Sequence, residues 1–403
     1  MSGTPFFPRQ LALSESMNWK LWSGSYAAGS YLVHHDAEYF AVRYAAGLLD
    51  VSPLFKYWVR GLDAAHFLAR IMAKDVRSLA VGRVAYVCWC DERGKVIDDG
   101  TVMRRGESDF FVTATDPAYS WFTRFLRGFQ VTVDDVSDRV AALALQGPRS
   151  RDILREITDG DVDSLRFFGT IEASVGGAFS WISRTGYTGD LGYELWMDRT
   201  NALAVWDAAM EAGRNYALRP FGLDALDVCR VEAGFILKNV DYYNALHALV
   251  ESRTSSPYEL ALGWTVDLER EPFSGQEALC REKDRGSSWA FVGLEVSWQE
   301  TERLYARCGL PPQLQRKAWR VSVPVYRDAG RAVQIGYATS GTWSPILKKN
   351  IALATIRAGH AIPGSKVFIE ATVEHVRHTV SATVCKARFF NPKRKMWTPP
   401  CAP

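Results

Sequence analysis

Two clusters in this 403-residue chain could do chemistry. The first is Val96-Ile97-Asp98-Asp99, two acids directly after an apolar strand segment. Adjacent strand residues point to opposite faces, so one carboxylate should face a cleft and the other should face out. A carboxylate in a cleft can hold a substrate amine or shuttle a proton, typically worth ~10²–10⁴-fold in rate. The alternative is a pair of turn acids that cap the hairpin. The second cluster is Gly186-Tyr187-Thr188-Gly189-Asp190-Leu191-Gly192-Tyr193-Glu194-Leu195. Its glycines allow left-handed backbone angles and close ligand approach. Tyr187 offers an aromatic face. Glu194 follows in an apolar strand, where burial is costly without a partner. A flat heterocycle carrying an amino group beside a ring N–H is one such partner, and a solvent-facing strand Glu is the other reading.

The elements that would position these groups can be read from periodicity. Residues 85–90 alternate as a strand, and Asp91-Glu92-Arg93-Gly94-Lys95 turns the chain into 96–97, a hairpin signal. Helical spacing covers 38–48, with Phe40, Tyr44 and Leu48 on one side. Strands are expected over 55–59 and 110–115, with helices over 64–72 behind Asp63 and from Pro117 to 126. A second unit begins near Val140. It has strands at 141–145, 179–184 and 193–197, and helices over 151–157 behind Ser150, from Asn201 to 213, and over 222–233. A linker-like 284–288 leads into six short strands, 290–296, 322–326, 334–340, 351–356, 366–369 and 379–384, which suggest a small barrel. The fold class is α+β, with a mixed body followed by a terminal β-domain.

Composition narrows the function. There are 48 basic against 45 acidic residues, a net charge of +3, which argues against general nucleic-acid or membrane-surface binding. Lys393, Arg394 and Lys395 read as a solvated tail. No stretch has the ~18 apolar residues of a membrane helix, and residues 1–10 have no secretory apolar region, so a cytoplasmic protein is expected. The seven cysteines (88, 90, 229, 280, 308, 385 and 401) make no disulfide framework. Cys88 and Cys90 share one strand face, but two further ligands for a metal are lacking, so packed thiols and no metal are expected. The chain has no Gly-x-Gly-x-x-Gly, no P-loop and no Gly-x-Ser-x-Gly elbow.

Both clusters, with further pieces in the same order, resemble the glycine-cleavage T-protein, or aminomethyltransferase, superfamily. The pieces are Gly47-Leu48-Leu49-Asp50-Val51-Ser52, Gly82 and Tyr86, Gly94 to Asp99, and Ala144-Leu145-Gln146-Gly147-Pro148. Gly186 to Glu194, Arg230-Val231-Glu232-Ala233-Gly234, Gly336 to Ser340 and Ser344 to Ala352 complete the set. The resemblance implies a three-domain cloverleaf around a central hole that holds the pteridine of tetrahydrofolate. Residues 1–55 with 141–245 would form one folate-binding domain, and 56–140 with 246–285 a second, carrying Asp99. Residues 288–390 would form the C-terminal β-barrel, and 391–403 a tail. By the same resemblance Asp99 is the catalytic acid, near N5 of the folate. Glu194 grips the pterin, Tyr86 and Tyr187 line its cleft, and Arg230 belongs to the cofactor-binding set.

Some positions depart from the glycine-cleavage pattern: Pro53-Leu54 for His-Met, Ala114 for Asn and Leu226 for Arg. Residues 50–56 are more similar to the folate domains of sarcosine oxidase and dimethylglycine dehydrogenase, whose flavin domain this chain lacks. The Lys-Gly-Cys-x-x-Gly-Gln-Glu motif of the folate-binding iron–sulfur assembly factors is absent from 233–241. The expected activity is therefore demethylation of a small O-, N- or S-methylated compound onto N5 of tetrahydrofolate. Lys56, Tyr242 and Arg230 are candidates for activating the leaving group on the substrate side. The alternatives are aminomethyl or methylene transfer with a carrier or oxidoreductase partner, and a non-catalytic folate-binding module.

Overall fold

The computed structural model describes residues 2–399; Cys401 lies outside them. Two large sheets, a small three-stranded one of Ser2–Gly3, Ser25–Ser30 and Asn18–Trp22, and a barrel organise the chain. The first sheet runs, edge to edge, Thr170–Val175, Ala178–Ser183, Gly192–Asp198, Val140–Gln146, Ala46–Asp50 and Leu218–Pro220. The second runs Arg83–Cys90, Val96–Gly106, Asp109–Ala114, Phe55–Arg60 and Thr132–Asp135. The chain crosses from the first sheet to the second between Asp50 and Phe55 and returns between Asp135 and Val140. All six expected strands of the last segment close into a barrel.

Alternation decides which residues meet. Leu143, Leu145, Leu195 and Met197 turn to the outer face of the first sheet, where they share a core with Ile153, Leu154, Val205 and Trp206 of the covering helices. Val87, Trp89, Val102 and Val112 do the same on the second sheet beneath Phe67, Leu68 and Phe122. The opposite faces turn toward one another, and Ala142, Ala144 and Trp196 of one pack with Val84, Met103 and Phe111 of the other. Since side chains alternate with period two, Glu194 shares the inner face with Trp196, and Asp99 shares it with its pairing partner Cys88. The two candidate carboxylates therefore come from facing sheets.

Several expectations change. The helix begun at Asp36 stops at Tyr44, and Ala46–Asp50 is already strand. Its buried side carries Glu38, Tyr39, Val42 and Arg43, while Phe40 and Tyr44 are exposed. The polar residues point inward because each has partners there: Glu38 accepts the backbone N–H groups of Tyr31, Leu32 and Gly222. The expected linker is partly helix, Gln276–Arg285, and a helix at Trp298–Arg307 interrupts the strand-rich segment.

The basic cluster 393–395 is not a solvated tail. Phe389 and Phe390 donate their N–H groups to Glu232 O, and Arg394 holds Asp190 through two bonds of 2.6 and 2.7 Å. Arg184 donates to the carbonyls of Lys395 and Trp397. The segment crosses the body as a strap. Gly234 makes room for it: its φ is +72°, and a Cβ there would lie 2.3 Å from Ala387 O.

Candidate active site

Both acids of the Asp98-Asp99 pair are buried, at 1 and 9% exposure, so the expectation that one faces out is overturned. Asp98 is caught by the chain that follows the strand Asp109–Ala114. It accepts the N–H of Thr115 at 3.1 Å and of Asp116 at 2.9 Å, together with the Thr115 hydroxyl. The two acids still alternate, Asp98 opposite Trp89 and Asp99 opposite Cys88, and each is buried on its own side of the strand.

Asp99 is held from two sides. Tyr86 donates its hydroxyl to Oδ2 at 2.7 Å, and Tyr242 donates to Oδ1 while lying 3.3 Å from Asp98 Oδ1. Burial pushes both carboxyls above the ordinary aspartate range, and their mutual repulsion pushes Asp98 further; the phenol bonds to Asp99 work the other way. Behind Tyr86 stands Trp264, 61% exposed, its ring stacked 5.8 Å away. Trp264 had no signal in the sequence, because the contact bridges 178 positions and no local pattern marks it.

Glu194 faces this pair from the first sheet. Its Oε2 accepts the Thr185 hydroxyl at 2.6 Å, and among the described residues no hydrogen bond reaches Oε1. Burial raises its pKa, with the Thr185 bond opposing. Tyr187 donates to Ile236 O and stacks on Phe235 at 5.6 Å. The glycines nearby do less than expected. Only Gly189 is left-handed, at φ +77°; Gly186 and Gly192 leave room for the Gln146 side chain.

The remaining candidates divide. Tyr242 reaches the centre. Arg230 sits behind it, paired with Asp227 at 2.7 Å and Asp241 at 2.9 Å, one Nη without a hydrogen-bond partner among the described residues. Lys56 does not join Asp99: its Nζ donates to Ser52 O and Ser137 O at 2.6 and 3.2 Å, and burial draws its pKa down to about 8. Cys88 and Cys90 are buried on one face, as expected, and Cys88 Sγ lies 3.4 Å from Thr265 Oγ1. Lys238, which no local sequence pattern marks, is buried 3.9 Å from Asp98 and ion-paired with Asp116.

The GCVT N-terminal domain matches residues 13–270, and the glycine cleavage T-protein C-terminal barrel domain matches 307–391. The chain belongs to the glycine-cleavage T-protein family. An aminomethyltransferase of Herpetosiphon aurantiacus is 35% identical over 363 residues, covering 89% of this chain and 91% of that one. One of Caldanaerobacter subterraneus is 34% identical over 338 residues, covering 83% of each. The glycine cleavage system aminomethyltransferase T of Bartonella henselae shares the fold, with a TM-score of 0.81 at 23% identity over 97% of this chain and 98% of that one. The family's cofactor is tetrahydrofolate. The residues present fit it: Glu194, on the inner face of its sheet, keeps one oxygen unused among the described residues, and Tyr187 and Phe235 offer a stacked aromatic pair.

Proposed function

We propose that this chain transfers an aminomethyl-derived one-carbon unit to tetrahydrofolate, with the aminomethyl group presented by a carrier protein. The observation that carries the reading is the opposition of Asp99, gripped by two phenols, to Glu194, whose Oε1 is unused. The sequence relatives named aminomethyltransferase favour this donor over a free methylated compound. When bound, tetrahydrofolate supplies the nucleophilic N5.

The protein's part is binding, orientation and proton handling. Glu194 would accept the pterin amino group and ring N–H, a paired contact that discriminates well because a wrong ligand leaves a buried acid unpaired. Tyr187, backed by Phe235, would offer the ring an aromatic face. Asp99, its pKa raised by burial, would give a proton to the departing heteroatom and balance positive charge in the transition state. Holding both reactants in one cleft can be worth ~7–11 kcal/mol in favourable cases.

Demethylation of a small O-, N- or S-methylated compound is the second reading. It draws on the departures at Pro53-Leu54, Ala114 and Leu226. Products separate the two. Aminomethyl transfer yields ammonia and methylenetetrahydrofolate, demethylation yields 5-methyltetrahydrofolate, and a binding module yields neither. Incubation with tetrahydrofolate and either an aminomethylated carrier or a panel of methylated compounds, read by mass spectrometry, decides. A 5-methyl product alone would overturn the aminomethyl assignment.

A further inference from the structure

The acid pair is linked to the protein surface by groups that the proposed function leaves idle. Asp98 and Asp99 are bridged by the Tyr242 hydroxyl. On the far side of Asp98 lies Lys238, its side chain 4% exposed and its Nζ 3.9 Å from Asp98 Oδ1. The same ammonium is ion-paired with Asp116, and makes no directed hydrogen bond to either acid. The Asp116 side chain is 36% exposed. Reading outward, the groups are Asp99, Tyr242, Asp98, Lys238, Asp116 and water. A lysine spent on a surface ion pair would be worth little. One buried between an acid of the reaction centre and an acid at the surface spans the distance between them.

We propose that Lys238 and Asp116 form a proton port, through which protons pass between solvent and Asp99 by way of Asp98 and Tyr242. The proposal rests on the assignment of Asp99 to the reacting centre. In the transfer the departing heteroatom gains a proton and the nitrogen that accepts the carbon loses one, so no co-reactant is needed. Each hop breaks one N–H or O–H bond and makes another. The Lys238 ammonium gives a proton to the Asp98 carboxylate. The acid so formed protonates the Tyr242 oxygen as Tyr242 passes its own proton to Asp99, and Asp99 gives one to the departing group. The Lys238 amine is refilled by a proton from water at Asp116, and the proton shed by the accepting nitrogen passes to solvent, where it neutralises the hydroxide left behind. Rotation of the flexible lysine stem carries Nζ from Asp116 to Asp98.

Burial raises both acids, Asp98 to about 7, which favours proton uptake by the pair. The groups facing the pair are Tyr86 and Cys88 from one strand, Thr115 and Asp116 from the turn beyond another, and Lys238 and Tyr242 from the segment after the helix Leu223–Ala233. Tyr57 and Tyr187 lie within electrostatic reach.

Charge compensation by Lys238 is the competing role, and Lys238→Arg separates the two. Arginine keeps the positive charge but does not release its proton. The measurement is the rate at which the carboxyl infrared band of the ligand-free protein responds to a rapid pH jump, in wild type, Lys238→Arg and Asp116→Asn. A response slowed at least tenfold in both variants is expected, with melting temperatures unchanged. A wild-type response in Lys238→Arg would overturn the proposal. Single turnovers should slow in the same variants while the tetrahydrofolate dissociation constant stays within twofold, and small amines should restore Lys238→Met. If wild type forms no folate product, the functional reading fails by itself, and the pH-jump rates still decide the port.

Discussion

At the scale of single residues, the site depends on two acids, Asp99 buried and Glu194 partly so, put to different ends. Asp99→Asn keeps the shape and both phenol contacts but cannot carry the proton. Turnover should fall by ~10²–10⁴-fold with tetrahydrofolate binding retained; near-normal turnover would remove Asp99 from the mechanism. Glu194→Gln should weaken tetrahydrofolate binding by ~1.5–3 kcal/mol, the usual worth of a hydrogen bond to a charged group, and calorimetry showing no change would contradict the grip. The same variant carries a pH signature. The folded, ligand-free protein holds the Glu194 proton to higher pH than the unfolded chain does, because burial raises its pKa. That contribution to stability is present below the ordinary glutamate range and is lost as pH rises through the folded-state value. Glu194→Gln removes the loss. Denaturant titrations from pH 4 to 7.5 should show the variant gaining on wild type as pH rises, and a pH-independent difference would contradict this.

At the scale of elements, the strap formed by residues 386–399 joins the site by its side chains. Lys395 Nζ lies 4.9 Å from the centre of the Phe235 ring, which stacks on Tyr187, and burial beside Arg388 draws its pKa down to about 8. Arg394→Ala would leave the buried Asp190 with the Leu191 N–H and, as its cation among the described residues, the more distant Arg43 at 3.6 Å. A loss of ~1.5–3 kcal/mol is expected, with the strap more open to protease; equal melting and digestion would contradict the pairing.

The strap also shows where sequence reading stopped. The hairpin that carries Asp99 and the strand that carries Glu194 were legible, since their alternation is local and their outer faces are apolar. A run of Lys-Arg-Lys carries no sign of the distant Asp190 and Phe235 that receive it. Helix Asp36–Tyr44 misled for a related reason: Glu38 and Arg43 lie inside because their partners sit up to 189 positions away. Helix Trp298–Arg307 went unread because Leu304 is its only buried residue. The burial of Asp98 as well as Asp99 depends on two backbone donors beyond the next strand that alternation alone does not reveal.

At the scale of the whole molecule, one carboxylate ties the lobes together. Glu232, fully buried, accepts the Tyr39 hydroxyl at 2.5 Å, Arg43 at 2.9 and 2.6 Å, and the Ser344 hydroxyl of the barrel at 2.5 Å. Its own carbonyl receives the strap. Glu232→Gln would leave the Arg43 charge short of its partner in the interior, a loss of ~3–5 kcal/mol. Calorimetry should then show the barrel melting apart from the body, where wild type melts as one unit; a single unshifted transition would contradict the role. At the rim, Trp264 stands in solvent while its ring rests on Tyr86, whose hydroxyl touches Asp99. An arriving group that draws that hydroxyl away alters the surroundings of the indole, so the protein carries its own optical gauge of occupancy. Ligand addition should change tryptophan emission in wild type, and most of that change should vanish in Trp264→Phe.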